Sequence, residues 1–166
     1  MKIFIIVLDD PVYLSRIYQK VLQERHKDII GITPVSAILP NQSIWKFIKQ
    51  HIECFGFVIF CLFVARAILF LILDKIPRIF HIKKAYSIKS LAKKYKIQIY
   101  PTTSINDQKY IEALKKLNID IIVSSQPQIM KKDILNIPKI GCINTHSGLL
   151  PKYRGLMPMF WALLNN

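Results

Sequence analysis

Short apolar runs rich in β-branched residues alternate with segments of helical periodicity along most of this chain. Five runs have the length and composition of buried strands: residues 2–8, 28–35, 97–100, 119–124 and 139–144. Helical patterns occupy residues 13–25, 87–96, a segment that Ser104 can cap and that runs to about residue 117, and a short piece around 130–135. Strands that are apolar on both faces and alternate with helices form mostly parallel sheets covered on two sides. We therefore expect an α/β fold with helices on both faces of one sheet.

The size and charge of the chain fit one folded domain with a basic surface. Its 166 residues are 52% hydrophobic and 20% charged, which is too apolar for a disordered chain. Lysine and arginine number 24 against 10 acidic residues, a formal net charge of +14. Such a surface attracts polyanions, including tRNA, nucleotide-sugars and anionic lipid headgroups. A lysine-biased composition without any such partner stays open, because the lysines are scattered along the sequence.

The three cysteines do not form a disulfide or metal-binding pattern. Cys54, Cys61 and Cys142 are odd in number and contain no CxxC pair. Cys142 and His146 lack a second ligand pair at suitable spacing, so we expect no metal site. Free cysteines indicate a reducing, cytoplasmic setting, and the two aspartates after the first short apolar run argue against a signal peptide.

Residues 41–80 interrupt the α/β pattern with a strongly apolar insertion. Residues 55–73 contain a single charge, Arg66, and are long enough as a helix to cross a bilayer. A single crossing would separate the first two strands from the later ones, so one sheet could not form. We therefore favour a helix that lies in the membrane interface or docks on a partner. A helix buried in a larger protein or oligomer is the first alternative, and a true membrane span is the second.

The residues around this apolar stretch also suit a membrane boundary. Apolar residues recur at helical spacing at positions 44, 47, 48 and 52, while polar ones occupy the intervening positions. Trp45 and a basic flank formed by Lys75, Arg78, Lys83 and Lys84 are typical of a headgroup region. We expect peripheral membrane contact through residues 45–80, which would make a cytoplasmic protein membrane-associated.

Two polar residues follow the last predicted strand, where ligands bind in parallel sheets. Asn144 and His146 are two residues apart, and such residues share one face of a strand. An amide can donate to an oxygen that gains negative charge, and an imidazole can move a proton at neutral pH. The pair suits acyl transfer through a tetrahedral intermediate, although an Asn and a His in this position are as often only structural.

Residues 143–155, INTHSGLLPKYRG, continuing through Pro158 to Ala162, resemble the signature of the 10-formyltetrahydrofolate-dependent formyltransferase family. The resemblance implies a Rossmann-like sheet and 10-formyltetrahydrofolate as the formyl donor. It implies that Asn144 polarises the formyl oxygen and that His146 assists proton transfer from the attacking amine. It further implies that two loops line the pteridine pocket: Ser125, Gln126, Pro127 and Gln128, and Leu149, Leu150 and Pro151.

The resemblance leaves the acceptor amine open. Methionyl-tRNA is the first expectation, because a basic chain suits a phosphate-rich ligand and residues 152–155 resemble that branch of the family. A nucleotide-linked amino sugar is the alternative, favoured by the apolar insertion. A third possibility is a non-catalytic remnant that binds folate or a membrane.

Two features depart from the family pattern. The order Ser147-Gly148 differs from the commoner Gly-Ser or Pro-Ser of the family loop. The family's catalytic aspartate lies well downstream of the histidine, and residues 147–166 contain neither Asp nor Glu. We therefore expect residues 1–166 to form an incomplete formyltransferase N-terminal domain with an insertion at about 41–80. As an isolated chain it should be inactive, because that aspartate orients the histidine.

Overall fold

The computed structural model describes residues 1–75, 87–155 and 158–165 of the chain. Four strands lie within these residues: β1 (Ile3–Leu8), β2 (Ile29–Val35), β3 (Ile121–Ser125) and β4 (Gly141–Asn144). The described helices are α1 (Leu14–Arg25), α2 (Ile44–Phe55), α3 (Phe57–Lys75), α4 (Ile88–Lys94), α5 (Gln108–Lys115), α6 (Lys132–Leu135) and α7 (Pro158–Leu164).

The four strands form one parallel sheet in the order β2-β1-β3-β4. The chain runs outward from β1 to β2, then returns to place β3 on the other side of β1. In register, Ile6 of β1 lies between Thr33 of β2 and Ser124 of β3. The order of strands reverses between β1 and β3, and ligands bind at such points beyond the carboxyl ends of the strands. The predicted α/β fold, Rossmann-like and mostly parallel, is confirmed.

Alternate residues of β1 enter two separate hydrophobic clusters. Phe4 and Ile6 pack with α5 and α6 on one face, where the buried partners include Ile111. Ile5 and Val7 pack with α1 and α4 on the other face. This alternation follows from the two-residue period of a strand. The sheet is therefore covered by helices on both faces, as its apolar strands predicted.

The strand predicted at residues 97–100 is reduced to a single parallel bridge between Ile32 and Ile99. Ile32 donates its N–H to the carbonyl of Gln98 and accepts a hydrogen bond from the N–H of Tyr100. The segment stays short because Lys96 before it has φ +56° and Pro101 after it has no N–H.

Pro34 lies inside β2, opposite Val7. A proline is tolerated there because its backbone nitrogen faces the outer edge of β2, as does the N–H of Ile32 two residues earlier. The missing N–H of Pro34 therefore breaks no hydrogen bond between β2 and β1.

Helix α5 begins three residues later than the sequence suggested. Ser104 was the predicted cap, but Asp107 is the capping residue, and its carboxylate accepts a hydrogen bond from the N–H of Tyr110. The hydroxyl of Ser104 instead accepts from the N–H of Asn106. Asp107 caps the helix in place of Ser104 because the side chain of Asn106, which lies between them, is bonded to main-chain groups outside the helix.

The insertion forms two helices separated by Gly56. Ser43 caps α2 through its hydroxyl, and Gly56, with φ +79°, ends it. Within the described residues, α3 is the one helix long and apolar enough to cross a membrane, judged by length and composition. It is the inserted hydrophobic helix that the sequence predicted. The rest of the predicted basic flank after Lys75, namely Arg78, Lys83 and Lys84, lies outside the described residues.

Candidate functional site at the carboxyl edge of the sheet

A cavity of about 960 Å³ opens at the carboxyl edge of the sheet. Its walls come from the segments that follow three strands: residues 39–41 after β2, residues 126–131 after β3 and residues 144–146 after β4. Ser104, Asn106 and Asp107, at the start of α5, close another side. The cavity thus lies where the topology of the sheet places ligands.

Asn144 and His146 both line this cavity. Asn144 is the last residue of β4 and pairs with Ser124, whereas His146 lies beyond the strand. The N–H of Thr145 still donates to the carbonyl of Ser124 at 2.9 Å, so the main chain is held to the sheet between the two side chains. His146 lies one residue beyond this bond, and the side chains of Asn144 and His146 reach the same cavity.

The ring of His146 is held by its own loop. Its Nε2 lies 2.7 Å from the carbonyl oxygen of Tyr153, which can only accept a hydrogen bond. Nε2 therefore donates, and in the neutral ring Nδ1 carries the lone pair. A neutral imidazole with a defined tautomer can accept a proton at the free nitrogen. The loop from 146 to 153 thus sets which ring nitrogen is free to accept a proton.

Close packing at Gly148 closes this loop. A Cβ at position 148 would lie 2.5 Å from Cβ of Pro158 and 3.0 Å from Cβ of Tyr153. No side chain fits there without displacing its neighbours. The order Ser147-Gly148, which departs from the commoner pattern, therefore places the glycine where the loop has no room. The peptide bond between Leu150 and Pro151 in the same loop is cis.

The loop after β3 is fastened to the segment before α5 by reciprocal side-chain contacts. Gln128, which is buried, accepts a hydrogen bond from the N–H of Ile105 and donates one to the carbonyl of Thr103. In return, Asn106 donates to the carbonyl of Ile129 and accepts from the N–H of Lys131. These four bonds satisfy main-chain groups that would otherwise be unpaired, and they fix one wall of the cavity.

Gln126 and Pro127 also line the cavity, and the side chain of Gln126 donates to the carbonyl of Gln128 at 2.7 Å. Ser125, in contrast, is buried behind the wall. Its hydroxyl bonds the hydroxyl of Tyr18 at 2.9 Å and the hydroxyl of Thr145 at a shorter distance. Burial raises the pKa of Tyr18, and the bond to Ser125 partly opposes that rise. Of the four residues expected in this loop, three face the cavity and one supports it.

Leu149, Leu150 and Pro151 are exposed to solvent and are not among the residues that form the cavity wall. Gly155, at the end of the same loop, does line the wall. The structure therefore separates the two sets of residues expected around the pteridine: the loop after β3 faces the cavity, and the loop after His146 turns its leucines outward.

The structure adds cavity residues that the sequence did not single out. Asp107 and Lys131 bring opposite charges to the wall, Asn106 braces it, and Thr145 lies between Asn144 and His146. Residues 39–41, which lead into the insertion, form a further part of the cavity wall. Asn106 and Asp107 could have been found from the sequence, because they follow the predicted strand at residues 97–100 at the carboxyl edge of the sheet. Residues 39–41 carry no pattern that would have revealed them.

Comparison with known proteins identifies the family. A family model described as "Formyl transferase" matches residues 71–166, more than half of the chain. Methionyl-tRNA formyltransferase of Clostridium botulinum is 49% identical over 85 residues, which cover 49% of this chain and 28% of that protein. A bifunctional polymyxin resistance protein, ArnA, of Wigglesworthia glossinidia brevipalpis is 46% identical over 80 residues, 48% of this chain and 12% of that protein.

Solved structures share the fold. Phosphoribosylglycinamide formyltransferase of Streptococcus pneumoniae has a TM-score of 0.54 and 13% identity over 99% of this chain and 67% of its own. The enzyme of the same name from Anaplasma phagocytophilum has the same score and identity, with 100% and 59% covered. The chain matches about a quarter of the length of the curated methionyl-tRNA formyltransferases. The family match nevertheless covers more than half of the chain, including the cavity residues after β3 and β4, and the chain belongs to the formyl transferase family.

Proposed function

We propose that this protein transfers a formyl group from 10-formyltetrahydrofolate to an amine. One observation carries the proposal: Asn144 and His146 line one cavity at the carboxyl edge of the sheet, in a chain of the formyl transferase family. The cavity volume of about 960 Å³ is ample for the reacting ends of a folate and an acceptor. Within that cavity the two side chains supply a hydrogen-bond donor and a proton acceptor.

The proposed reaction needs both groups. The acceptor nitrogen attacks the formyl carbon, and the formyl oxygen becomes negatively charged in the tetrahedral intermediate. The amide of Asn144 donates a hydrogen bond to that oxygen. His146 accepts the proton that the amine loses, through the nitrogen not bonded to the carbonyl of Tyr153. The bond from the formyl carbon to N10 of the folate then breaks, and N10 takes up a proton.

The folate is assigned to the loop after β3, at Gln126, Pro127 and Gln128. Gln128 uses its amide on the chain's own main chain, so it shapes the wall and does not itself grip the ligand. Ser125 belongs to the same set as a support behind the wall. Leu149, Leu150 and Pro151 remain part of the proposal as residues that can contact a folate extending out of the cavity.

Methionyl-tRNA is the acceptor we favour. Relatives named methionyl-tRNA formyltransferase match at 49% and 46% identity, and the net charge of +14 suits a polyphosphate ligand. A nucleotide-linked amino sugar is the second candidate. In either case we propose that residues 1–166 are part of the N-terminal domain of such an enzyme, with residues 41–80 inserted, and that it works in the cytoplasm.

The test is a formyl-transfer assay on the natural gene product with methionyl-tRNA and with an amino-sugar nucleotide as separate acceptors. We expect turnover with methionyl-tRNA. The variants Asn144→Ala and His146→Ala should each lower kcat about 100-fold or more, because each removes a group that acts in the transition state. Turnover that survives both substitutions would contradict the site assignment.

Matched controls separate chemistry from folding. His26→Ala and Asn136→Ala replace the same residue types outside the cavity and should leave kcat nearly unchanged. Tetrahydrofolate binding, measured by calorimetry, should persist in Asn144→Ala and His146→Ala, since the folate is assigned to the other loop. Folate binding without turnover in the natural protein would favour the non-catalytic remnant over the enzyme.

A further inference from the structure

Helix α3 presents a continuous apolar stripe to solvent. Val58, Leu62, Leu69 and Ile72 recur at helical spacing, and their side chains are 70%, 64%, 51% and 53% exposed. Phe70 is the one buried residue of this helix. Soluble proteins rarely expose a contiguous apolar surface of this length without a use for it. We call these four residues the outer stripe.

The two charges of α3 that precede Lys75 contact the folded domain. Arg66 lies over the ring of Tyr13, 5.9 Å from its centroid, and over that of Phe70 at 5.5 Å. Asp74 accepts hydrogen bonds from the hydroxyls of Ser87 and Ser90 at 2.7 and 2.6 Å. Arg66, the single charge of residues 55–73, therefore contacts the folded domain, and none of the four residues of the outer stripe is charged.

The same contacts hold α3 along the surface of the domain. Arg66 ties it to Tyr13, just before α1, and Asp74 ties it to the start of α4. Strands β1 and β2 precede α3, β3 and β4 follow it, and all four lie in one sheet. A crossing of the bilayer would break these contacts and divide the sheet. The helix can therefore touch a membrane only from the side.

Helix α2 covers another side of α3 and adds cations. The ring of Phe55 packs edge-on against Phe63, with centroids 5.8 Å apart. The polar side of α2 exposes Lys46 and Lys49, the latter near Glu53 at 3.8 Å. Lys75, at the end of α3, is also exposed. Basic residues that flank an apolar helix face favour an anionic lipid surface over a neutral one.

We propose that α2 and α3 dock the protein on the surface of an anionic bilayer, with the outer stripe inserted at the level of the headgroups and α3 lying in the membrane plane. A lipid surface fits because every exposed side chain of residues 57–72 except Arg66 is apolar, whereas protein interfaces mix polar groups with apolar ones. This inference is independent of the proposed formyl transfer, since no residue of the outer stripe lines the cavity.

Vesicle co-sedimentation of the full chain tests the proposal. We expect binding to vesicles of equimolar phosphatidylcholine and phosphatidylglycerol, weaker binding to pure phosphatidylcholine, and a marked loss in high salt. Leu62→Glu combined with Leu69→Glu should lower the partition constant at least about tenfold, because both leucines leave the acyl boundary. Leu62→Ile with Leu69→Ile should bind like the natural chain.

The matched control places the same charges elsewhere. Ile140→Glu with Leu163→Glu changes two exposed apolar residues outside the insertion and should not affect binding. Circular dichroism verifies that every variant is folded. Equal binding by the Leu62/Leu69 glutamate variant, or no binding by the natural chain to either vesicle, would overturn the proposal. So would a lipid-free dimer in sedimentation velocity that the same glutamates dissociate, because a second copy would then cover the stripe.

Discussion

The hydroxyl of Tyr18, on helix α1, lies 2.9 Å from the hydroxyl of Ser125 at the end of β3. Ser125 also bonds the hydroxyl of Thr145, which stands between Asn144 and His146 on the cavity wall. Three hydroxyls thus connect the helix behind the sheet to the main chain that carries the two candidate catalytic residues. The connection runs from α1 through the end of β3 to the residue after β4, so no pattern in the sequence could reveal it.

Removing one hydroxyl from this connection should weaken the fold. Tyr18→Phe leaves the buried ring in place and deletes one hydrogen bond, so we expect a loss of about 1 kcal/mol in the free energy of unfolding. Urea unfolding measures it. Tyr13→Phe, at an exposed position, keeps its ring under Arg66 and should change stability much less. Equal stability of Tyr18→Phe and the natural chain would mean that the hydroxyl contact contributes nothing.

Stability should fall in strongly alkaline solution because of two buried phenols. Burial raises the pKa values of Tyr18 and Tyr110, and the bond from Tyr110 to Thr33 opposes only part of that rise. Below the ordinary tyrosine pKa of about 10, both phenols are neutral in the folded and unfolded states. Above it, the unfolded chain releases these protons and the folded chain does not, so unfolding becomes more favourable as the pH rises.

Urea titrations at a series of pH values above about 10 test this expectation. The double variant Tyr18→Phe with Tyr110→Phe should show a shallower decline than the natural chain, because its two phenols can no longer ionise on unfolding. An identical decline in both proteins would show that other groups, such as lysines, cause the alkaline loss.

The loop that holds His146 should not tolerate a side chain at position 148. In Gly148→Ala the new Cβ would lie 2.5 Å from Pro158 and 3.0 Å from Tyr153, so the loop must move. We expect a loss of about 1–3 kcal/mol in stability, or an open loop with faster amide hydrogen exchange at residues 146–155. Ser147→Ala, an exposed neighbour, is the control. Unchanged exchange in Gly148→Ala would contradict the close packing.

Gly31 in β2 is a second glycine whose neighbours leave no room for a side chain, and it lies inside the core. A Cβ there would lie 2.5 Å from Cε2 of Phe4 and 2.8 Å from Cε2 of Tyr100, whose rings are 5.5 Å apart by centroid. Gly31→Ala should therefore cost about 1–3 kcal/mol by overpacking. Phe4→Leu frees space at the same point, so the double variant should be more stable than the sum of the two single losses predicts. Simple additivity would indicate that the rings move aside without strain.

Local pattern accounted for most of the elements, since strand and helix periods depend on neighbouring residues. The alternation along β1, Phe4 and Ile6 against Ile5 and Val7, shows why the sheet was predictable: each apolar run is long enough to need cover on both faces. Boundaries were less predictable, because they depend on competition between groups. Asp107 takes the cap of α5 from Ser104, and Ile99 forms one bridge in place of a strand.

The α/β fold, the apolar helix and the motif that contains Asn144 and His146 could be predicted from the amino-acid sequence, because each depends on consecutive residues. Contacts between distant parts of the chain were needed to show that Gln128 and Asn106 join two wall segments, that Ser125 lies behind the wall with Tyr18, and that the leucines at 149 and 150 turn outward. The same holds for the contact of Arg66 with Tyr13. These features depend on contacts between residues far apart in the chain, whose geometry is set by how the sheet brings strand ends and helices together.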